Sequence, residues 1–132
     1  MYNKNVIYNI ALYNYEVYSI TMISKELLKG SIKSIVLKIL TQHERMYGYE
    51  LTQKVEELSK GTIKLTFGAL YPILHKLEDD DLVETESEVV NNRNRIYYKL
   101  SKKGRKSALE KIEELKDFTN IIQKIIEYKA KS

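Results

Sequence analysis

Several residue types are scarce in this 132-residue chain, which has no cysteine, no tryptophan, one proline and two histidines. Without cysteine, neither a disulfide framework nor a thiolate metal site can form. His43 and His75 are the only imidazole donors, and the pattern around His75 indicates a surface residue, not a ligand. We therefore expect neither a metal site nor a cofactor.

Long apolar runs are absent as well. No stretch approaches the roughly 18 consecutive apolar residues of a transmembrane helix, so we expect no membrane partner. The first residues do not combine a basic start, an unbroken apolar run and a cleavage site, as a signal peptide would. Together these absences predict a cytoplasmic protein.

Apolar and charged residues make up 43% and 30% of the chain, which is typical of one globular domain. Lysine and arginine total 22 against 18 acidic residues, so the net charge is +4. This excess suits a polyanionic partner without requiring one. No nucleophile, base and orienting group converge along the sequence, and we expect no enzymatic activity.

The first stretch, residues 1–23, differs in composition from the rest, because it is rich in tyrosine and asparagine and poor in charge. Two interpretations remain open. Apolar residues at positions 7, 10, 11 and 18 can form a weak helical stripe that packs on the domain, or translation starts at Met22. The sequence assigns this extension no function.

Two amphipathic helices follow. In "SIKSIVLKILTQ" the apolar residues recur at i, i+3, i+4, i+7 and i+8, and Ser31 is the predicted N-cap. In "YGYELTQKVEELSKG" a single face carries Leu51, Val55 and Leu58, and Gly61 is suited to the C-terminal stop.

A third helix is predicted in "TFGALYPILHKLEDD", with Thr66 as N-cap. Its buried stripe is predicted to comprise Phe67, Leu70, Leu74 and Leu77.

The only proline, Pro72, lies in the second turn of this helix, where it lacks the N–H that would bond to the carbonyl of Gly68. Glycine has no Cβ to meet the proline ring, so the pair allows the helix to begin loosely. The outward face also carries Ala69, His75 and Lys76, with Tyr71 at its edge. By itself this segment favours a solvated helix that tolerates a proline.

A β-hairpin is predicted in "VETESEVVNNRNRIYYKL", where apolar and polar residues alternate on both sides of Asn91 and Asn92. A two-residue turn with positive φ at both asparagines pairs Glu84 with Lys99, Glu86 with Tyr97, Glu88 with Arg95, and Val90 with Arg93. The opposite face, predicted to be buried, carries Val83, Val89, Ile96, Tyr98 and Leu100. The tip presents Asn92, Arg93 and Asn94.

Three helices followed by a hairpin is the order of a winged helix-turn-helix, whose third helix enters the major groove while the hairpin reaches an adjacent groove or the backbone. Both predicted surfaces carry amides or cations that can donate to phosphates and base edges. The fold class is therefore mainly α with a small β-hairpin. A winged-helix module that docks proteins without binding DNA is the alternative.

The segments "LLKGSIKSIVLKILTQHERMYGYEL", "TFGALYPILHKLEDDDLV" and "NRIYYKLSKKGRKSAL" resemble successive signatures of the PadR-like transcriptional regulators. The resemblance runs from about Leu27 to the C-terminus, and it implies a homodimeric, mostly repressing protein that binds double-stranded DNA. It also implies a C-terminal dimerisation helix, often with an effector near the dimer interface. The chain departs from the family at Asp81, where glycine is usual, and at Phe67, where proline is common and packing is expected instead.

Carried over by position, the resemblance implies that Tyr47, Tyr49 or both contact a DNA phosphate. For Tyr49, packing in the core is an equal alternative. The groove-facing residues it implies are Thr66, Gly68, Ala69, Tyr71 and Pro72. Charge and geometry add Lys64 and Lys76. The hairpin tip completes the predicted DNA-binding surface of residues 24–101.

The last segment, residues 102–132, is predicted to form a long helix capped by Ser101. Its apolar stripe is wider than a small domain needs, which favours burial against a second copy over packing within one chain. The predicted dimerisation residues are Ala108, Ile112, Leu115, Phe118, Ile122, Ile125 and Ile126.

The sequence therefore predicts a repressor that acts as a homodimer on a palindromic operator. A small aromatic effector at the dimer interface would stack on Phe118 beside Leu115 and Ile122, or on tyrosines of the first helix and the N-terminal stretch. The alternative is a plain apolar interface without an effector.

Overall fold

The computed structural model describes residues 22–131, which form five helices and a small three-stranded antiparallel sheet. In chain order the elements are α1 (Lys25–Leu28), α2 (Ile32–Leu40), β1 (Met46–Tyr47), α3 (Gly48–Leu58), α4 (Phe67–Asp79), β2 (Val83–Val90), β3 (Arg93–Leu100) and α5 (Lys102–Ile126). This order confirms the predicted winged helix-turn-helix with a long terminal helix. The two interpretations of the N-terminal stretch concern residues 1–21, which lie outside the described part.

The core forms where α2, α3 and α4 bring their apolar faces together against the base of the sheet. Its largest fully buried side chains are Val36, Leu37, Leu40, Leu51, Leu70, Leu74 and Leu77. These residues recur at helical spacing in the sequence, so each helix is held mainly by the stripe it buries.

Two details of α2 and α3 differ from the prediction. Ser31 occupies the N-cap position of α2, but its side chain accepts no hydrogen bond from the helix. Leu58 is exposed, unlike Leu51 and Val55, because it is the last residue of α3 and extends past the core. The chain then turns through Lys60 and Gly61, both at positive φ.

Helix α4 begins as predicted, since the Thr66 hydroxyl accepts a hydrogen bond from the Ala69 N–H at 3.2 Å. The prediction that Phe67 is buried is wrong, because 49% of its surface is exposed. As the first helical residue it precedes the part of α4 that crosses the core. Its ring lies instead against Tyr71 on the outer face, with the ring centres 5.8 Å apart.

The sheet has the order β1-β3-β2, and all four predicted pairs of the hairpin are present. Asn91 and Asn92 adopt φ of 53° and 64°, as the predicted turn requires. The sequence did not predict β1, whose Met46 and Tyr47 pair with Tyr98 and Tyr97. Two residues are too few to show an alternating pattern.

The predicted buried face of the hairpin is only partly buried. Val83, Tyr98 and Leu100 lie in the core, but Val89 is 72% exposed and Ile96 is also exposed. The hairpin extends towards its tip beyond the helices of residues 22–131, and these helices leave Val89 and Ile96 uncovered. The alternation of apolar and polar residues showed correctly which side chains share a face. It could not show which of them other elements bury.

The start of α5 is fixed to the turn that follows α4. Asp81 adopts a left-handed conformation with φ of 61°, and the Ser101 N–H donates to the Leu82 carbonyl at 3.0 Å. The Ser101 hydroxyl caps α5 by accepting a hydrogen bond from the Gly104 N–H at 2.9 Å. Gly104 is buried directly against the backbone of Leu82. Helix α5 then packs along α2 and continues past the core.

Candidate nucleic-acid interface

The first two turns of α4 present a continuous outer surface. Thr66, Gly68, Tyr71 and Pro72 are exposed there, whereas Ala69 is partly buried against the core. A Cβ added to Gly68 would meet only the Thr66 hydroxyl, at 3.9 Å, so the backbone is open to an approaching molecule. Because Pro72 has no N–H, the Gly68 carbonyl lacks its usual helical hydrogen bond.

Tyr71 connects this surface to the beginning of α3. A Cβ added to Gly48 would lie 2.5 Å from the Tyr71 hydroxyl oxygen and 2.9 Å from its Cζ. Only glycine therefore lets the Tyr71 side chain lie against the first residue of α3. The contact holds the starting ends of α3 and α4 side by side.

Tyr47 and Tyr49 flank that same end of α3. Their rings are nearly parallel, with centres 6.4 Å apart and an interplanar angle of 23°. Tyr47 is half-buried, and its N–H donates to the Glu50 carboxylate at 3.1 Å, which fixes the first turn. Tyr49 is 54% exposed, so the alternative of core packing is wrong for this residue.

A groove of about 670 Å³ separates the hairpin from the two helix ends. Its helical side is formed by Tyr47, Gly48 and Tyr71, and its hairpin side by Val90, Asn91, Arg93, Asn94, Arg95 and Ile96. The hairpin tip, with Asn92, Arg93 and Asn94, is exposed. The groove thus brings together side chains from the helices and the hairpin that the sequence predicted as separate contacts.

The two predicted lysines lie at the margins of this surface. Lys64, in the segment before α4, is 3.7 Å from the Glu56 carboxylate. Lys76, one turn beyond Pro72, is 3.3 Å from the carboxylate of Asp80. Both side chains are exposed, so these ion pairs are weak and can be exchanged for a phosphate.

Sequence reasoning missed a cationic and aromatic layer on the outer face of the sheet. The Arg95 guanidinium lies 4.0 Å from the centre of the Tyr47 ring, and the Arg45 guanidinium lies 3.8 Å from the centre of the Tyr97 ring. The rings of Tyr47 and Tyr97 meet edge to face at 5.5 Å. The alternation of Arg95 and Tyr97 along β3 was a signal for this layer, but the contribution of Arg45 depends on β1.

The same layer pairs with two of the three glutamates of strand β2. Arg45 donates to Glu86 at 3.1 Å and to Glu88 at 2.6 Å, and Lys99 pairs with Glu86 at 2.8 Å. The hydrogen bonds from Lys99 and Arg45 lower the pKa of Glu86, while the bond to Glu88 raises the pKa of Arg45. Glu86 and Glu88 are therefore compensated on the strand beside the one that carries Arg93.

The predicted dimerisation residues fall into two groups along α5. Ala108 is fully buried in the core of its own chain and is wrong as a contact with a second copy. Ile112, Leu115 and Ile122 are partly buried. Phe118, Ile125 and Ile126, further along the helix, form the second group, and together with Ile121, which was not predicted, they make an exposed apolar surface. Helix α5 leaves the core in its second half, which explains the change.

Two hollows lie beside α5. An apolar cleft of about 630 Å³ between α2, α3 and α5 is lined mainly by Ile35, Ile39, Val55, Leu58, Ile63, Ile112 and Leu115. A smaller hollow of about 390 Å³ has Leu115 and Phe118 on one side and Lys33, Lys111 and Glu114 among its polar residues. Leu115 borders both hollows.

Among residues 22–131, no three histidine or acidic side chains are grouped as metal ligands. Asp79, Asp80 and Asp81 end α4 near the surface, and Asp80 pairs with Lys76. No helix within the described residues has the length and apolar character to cross a bilayer.

Comparison with known proteins agrees with this geometry. Residues 36–110 match the sequence profile of the transcriptional regulator PadR-like family. A transcriptional regulator of Mycobacterium tuberculosis is 34% identical over 86 residues, which cover 65% of this chain and 77% of that protein.

Solved structures give the same result for the fold. A transcriptional regulator from Clostridium thermocellum superimposes with a TM-score of 0.71 at 23% identity, covering 80% of this chain and 100% of that one. A PadR family transcriptional regulator from Eggerthella lenta superimposes with a TM-score of 0.66 at 26% identity, covering 79% of this chain and 88% of that one.

Proposed function

Because the chain belongs to the PadR-like family of transcriptional regulators, we propose that it represses transcription as a homodimer bound to a palindromic DNA operator in the cytoplasm. The observation that carries this proposal is the groove between the hairpin and the ends of α3 and α4. Exposed amides of Asn91 and Asn94 and the exposed Arg93 guanidinium line this groove opposite Tyr71.

In this arrangement the first half of α4 enters the major groove with Thr66, Gly68, Tyr71 and Pro72 towards the bases. Tyr49 and Lys64 lie beside that helix end and contact phosphates. Arg93 and the neighbouring asparagines of the hairpin tip reach the adjacent backbone or minor groove. Lys76 adds a cation further along α4.

The proposed dimer uses the exposed apolar surface of α5. Phe118 is 58% exposed and Ile125 is 63% exposed, and a second copy packed on them would remove that surface from water. A two-fold axis between two copies of α5 presents two recognition helices to two half-sites, so the operator is palindromic. Residues 24–101 then bind DNA, and residues 102–132 form the dimer apart from the part of α5 that completes the core.

The proposal is tested by selecting duplexes from a random pool with the purified full chain. We expect enrichment of one sequence with two-fold symmetry and half-sites about one helical turn apart. A protein-docking winged helix would enrich no sequence. A promoter that carries the selected operator should lose reporter expression when the protein is produced, and increased expression would contradict repression.

A small planar aromatic effector is a second proposal for the same dimer. The observation that favours it is the hollow beside Phe118 and Leu115, whose volume of about 390 Å³ fits a small ligand. Planar aromatic cations and phenolic acids should be titrated into the protein–operator complex. Release of DNA that is abolished by Phe118→Ala supports an effector site, and no release across the panel leaves a plain apolar interface.

A further inference from the structure

The exposed face at the start of α4 is more aromatic and apolar than a surface that reads bases through hydrogen bonds. From Phe67 to Lys76, only Tyr71, His75 and Lys76 have side-chain polar groups, and two of these lie beyond Pro72. The first turns instead present the Phe67 ring, the Gly68 backbone and the Pro72 ring to solvent. Sequence recognition by this end of the helix therefore has few hydrogen-bonding groups available.

Phe67 is the largest apolar group on this face. It is half-exposed and leans on Tyr71 at 5.8 Å between ring centres, while Tyr71 leans on His75 at 6.2 Å. The Tyr71 side chain is in turn fixed against Gly48 at the start of α3. The Phe67 ring is thus supported from one side and open on the other.

A role in stability does not account for this placement. Phe67 lies outside the buried core, and Leu70, Leu74 and Leu77 fill the inner face of α4 without it. A shallow hollow of about 350 Å³ beside the ring is bordered by Tyr49 and Lys64, two residues of the proposed phosphate contact. The ring therefore lies within the proposed interface and not behind it.

In the major groove, the apolar feature that distinguishes one base from the others is the 5-methyl group of thymine, and phenylalanine is among the side chains that contact it. We propose that Phe67 is a specificity-determining residue that reads thymine 5-methyl groups in each half-site, with Tyr71 holding its ring. This inference rests on the proposed DNA-binding function and specifies which bases are recognised by apolar contact.

The test uses the duplex that the full chain enriches from a random pool. Each thymine in turn is replaced by deoxyuridine, which removes only the 5-methyl group and keeps base pairing. For the unmodified protein, at least one position per half-site should weaken binding about fourfold, the factor expected for one buried methyl-sized group. For Phe67→Ala, the same replacement should have no effect, and its affinity should already be lowered by a similar factor.

Leu109→Ala serves as the matched control, because Leu109 is an exposed leucine on α5, far along the chain from α4. It should keep the full effect of deoxyuridine. Equal losses with and without the Phe67 ring would show that another residue reads the methyl group, and no loss at any thymine would show that methyl groups are not read. Either result would contradict the role of Phe67 but would leave the proposed DNA-binding function supported. Failure to enrich any duplex would instead overturn the proposed function, and this inference with it.

Discussion

Gly104 shows how a single residue sets the position of a whole helix. It is buried where the first turn of α5 crosses the chain after α4, and a Cβ there would collide with the backbone carbonyl of Leu82 and approach the Leu100 side chain at 3.2 Å. Backbone cannot move aside as a flexible side chain can. Relief of this collision requires the first turn of α5 to shift away from the core.

We therefore expect Gly104→Ala to lower the free energy of unfolding by about 1–3 kcal/mol, the usual range for overpacking a buried site. Gly30→Ala is the matched control, since a Cβ at Gly30 meets nothing within 4 Å and should leave stability nearly unchanged. Urea denaturation followed by circular dichroism measures both variants. A Gly104→Ala protein as stable as Gly30→Ala would show that α5 can shift without loss.

The residue scale also shows where sequence patterns stop being informative. Helical periodicity placed Leu70, Leu74 and Leu77 in the core correctly, yet it placed Phe67 there as well. The spacing identifies the face of a helix on which a residue lies, but whether anything covers that position depends on neighbouring elements. The contact between Tyr71 and Gly48 could not be predicted for the same reason. It joins two helices, and no local sequence pattern shows how they pack together.

At the scale of elements, the hairpin was the most predictable part of the molecule. Its turn needs positive φ at two residues, and an Asn-Asn pair between alternating strands meets that need and fixes the register. The third strand, β1, could not be predicted because it exists only through its pairing with β3. The ion pairs of Arg45 with the acidic strand depend on that pairing too.

The hairpin ion pairs lead to an expected dependence of stability on pH. Hydrogen bonds from Lys99 and then Arg45 lower the pKa of Glu86 below its ordinary value of 4.5. Since the folded-state pKa is lowered, the stabilisation is present above pH 4.5 and is lost as the pH falls through the folded-state pKa. As the pH falls below 4.5, the unfolding free energy of Glu86→Gln should therefore decrease less than that of the unmodified protein.

Denaturation curves at a series of pH values from 7 down to about 3 measure this effect, which is expected to be small because the pair is exposed. Glu84→Gln is the control, because Glu84 lies on the same strand but takes no part in the three ion pairs of Arg45 and Lys99. Identical pH profiles for the two variants would contradict a stabilising role for Glu86.

The second half of α5 allows a sharper test of the dimer than its first half. Ile112 and Leu115 are partly buried by their own chain, so charges placed there would disturb the fold as well as an interface. Phe118 and Ile125 are both exposed. Phe118→Glu combined with Ile125→Glu should yield a folded monomer, because charges in an apolar interface are strongly unfavourable.

Sedimentation gives the oligomeric state, and urea denaturation shows whether the monomer remains folded. Leu109→Glu is the control, because Leu109 is also exposed on α5 but is not part of the Phe118 to Ile126 surface. It should remain a dimer. A doubly substituted protein that is still dimeric with intact operator binding would place the interface elsewhere.

At the scale of the whole molecule, the net charge of +4 matters less than where the charges lie. On the outer face of the sheet, the cations Arg45 and Lys99 are occupied by Glu86 and Glu88. Arg93 at the hairpin tip is exposed and lies next to the groove, with no ion pair among residues 22–131. Glu86 and Glu88 are thus neutralised within the sheet, and the hairpin tip retains a cation for a phosphate.

This distribution predicts how operator binding responds to salt. Each phosphate contact releases condensed counterions, so the logarithm of the affinity falls with the logarithm of the salt concentration by about 0.9 per contact. Arg93→Ala should weaken binding to all sequences alike and reduce that slope by about one unit. Lys116→Ala removes the same charge from α5, where Lys116 pairs with Glu113, and should leave the slope unchanged. Binding titrations of both variants at 50 to 200 mM salt decide between the outcomes, because a purely general effect of net charge would change the two slopes equally.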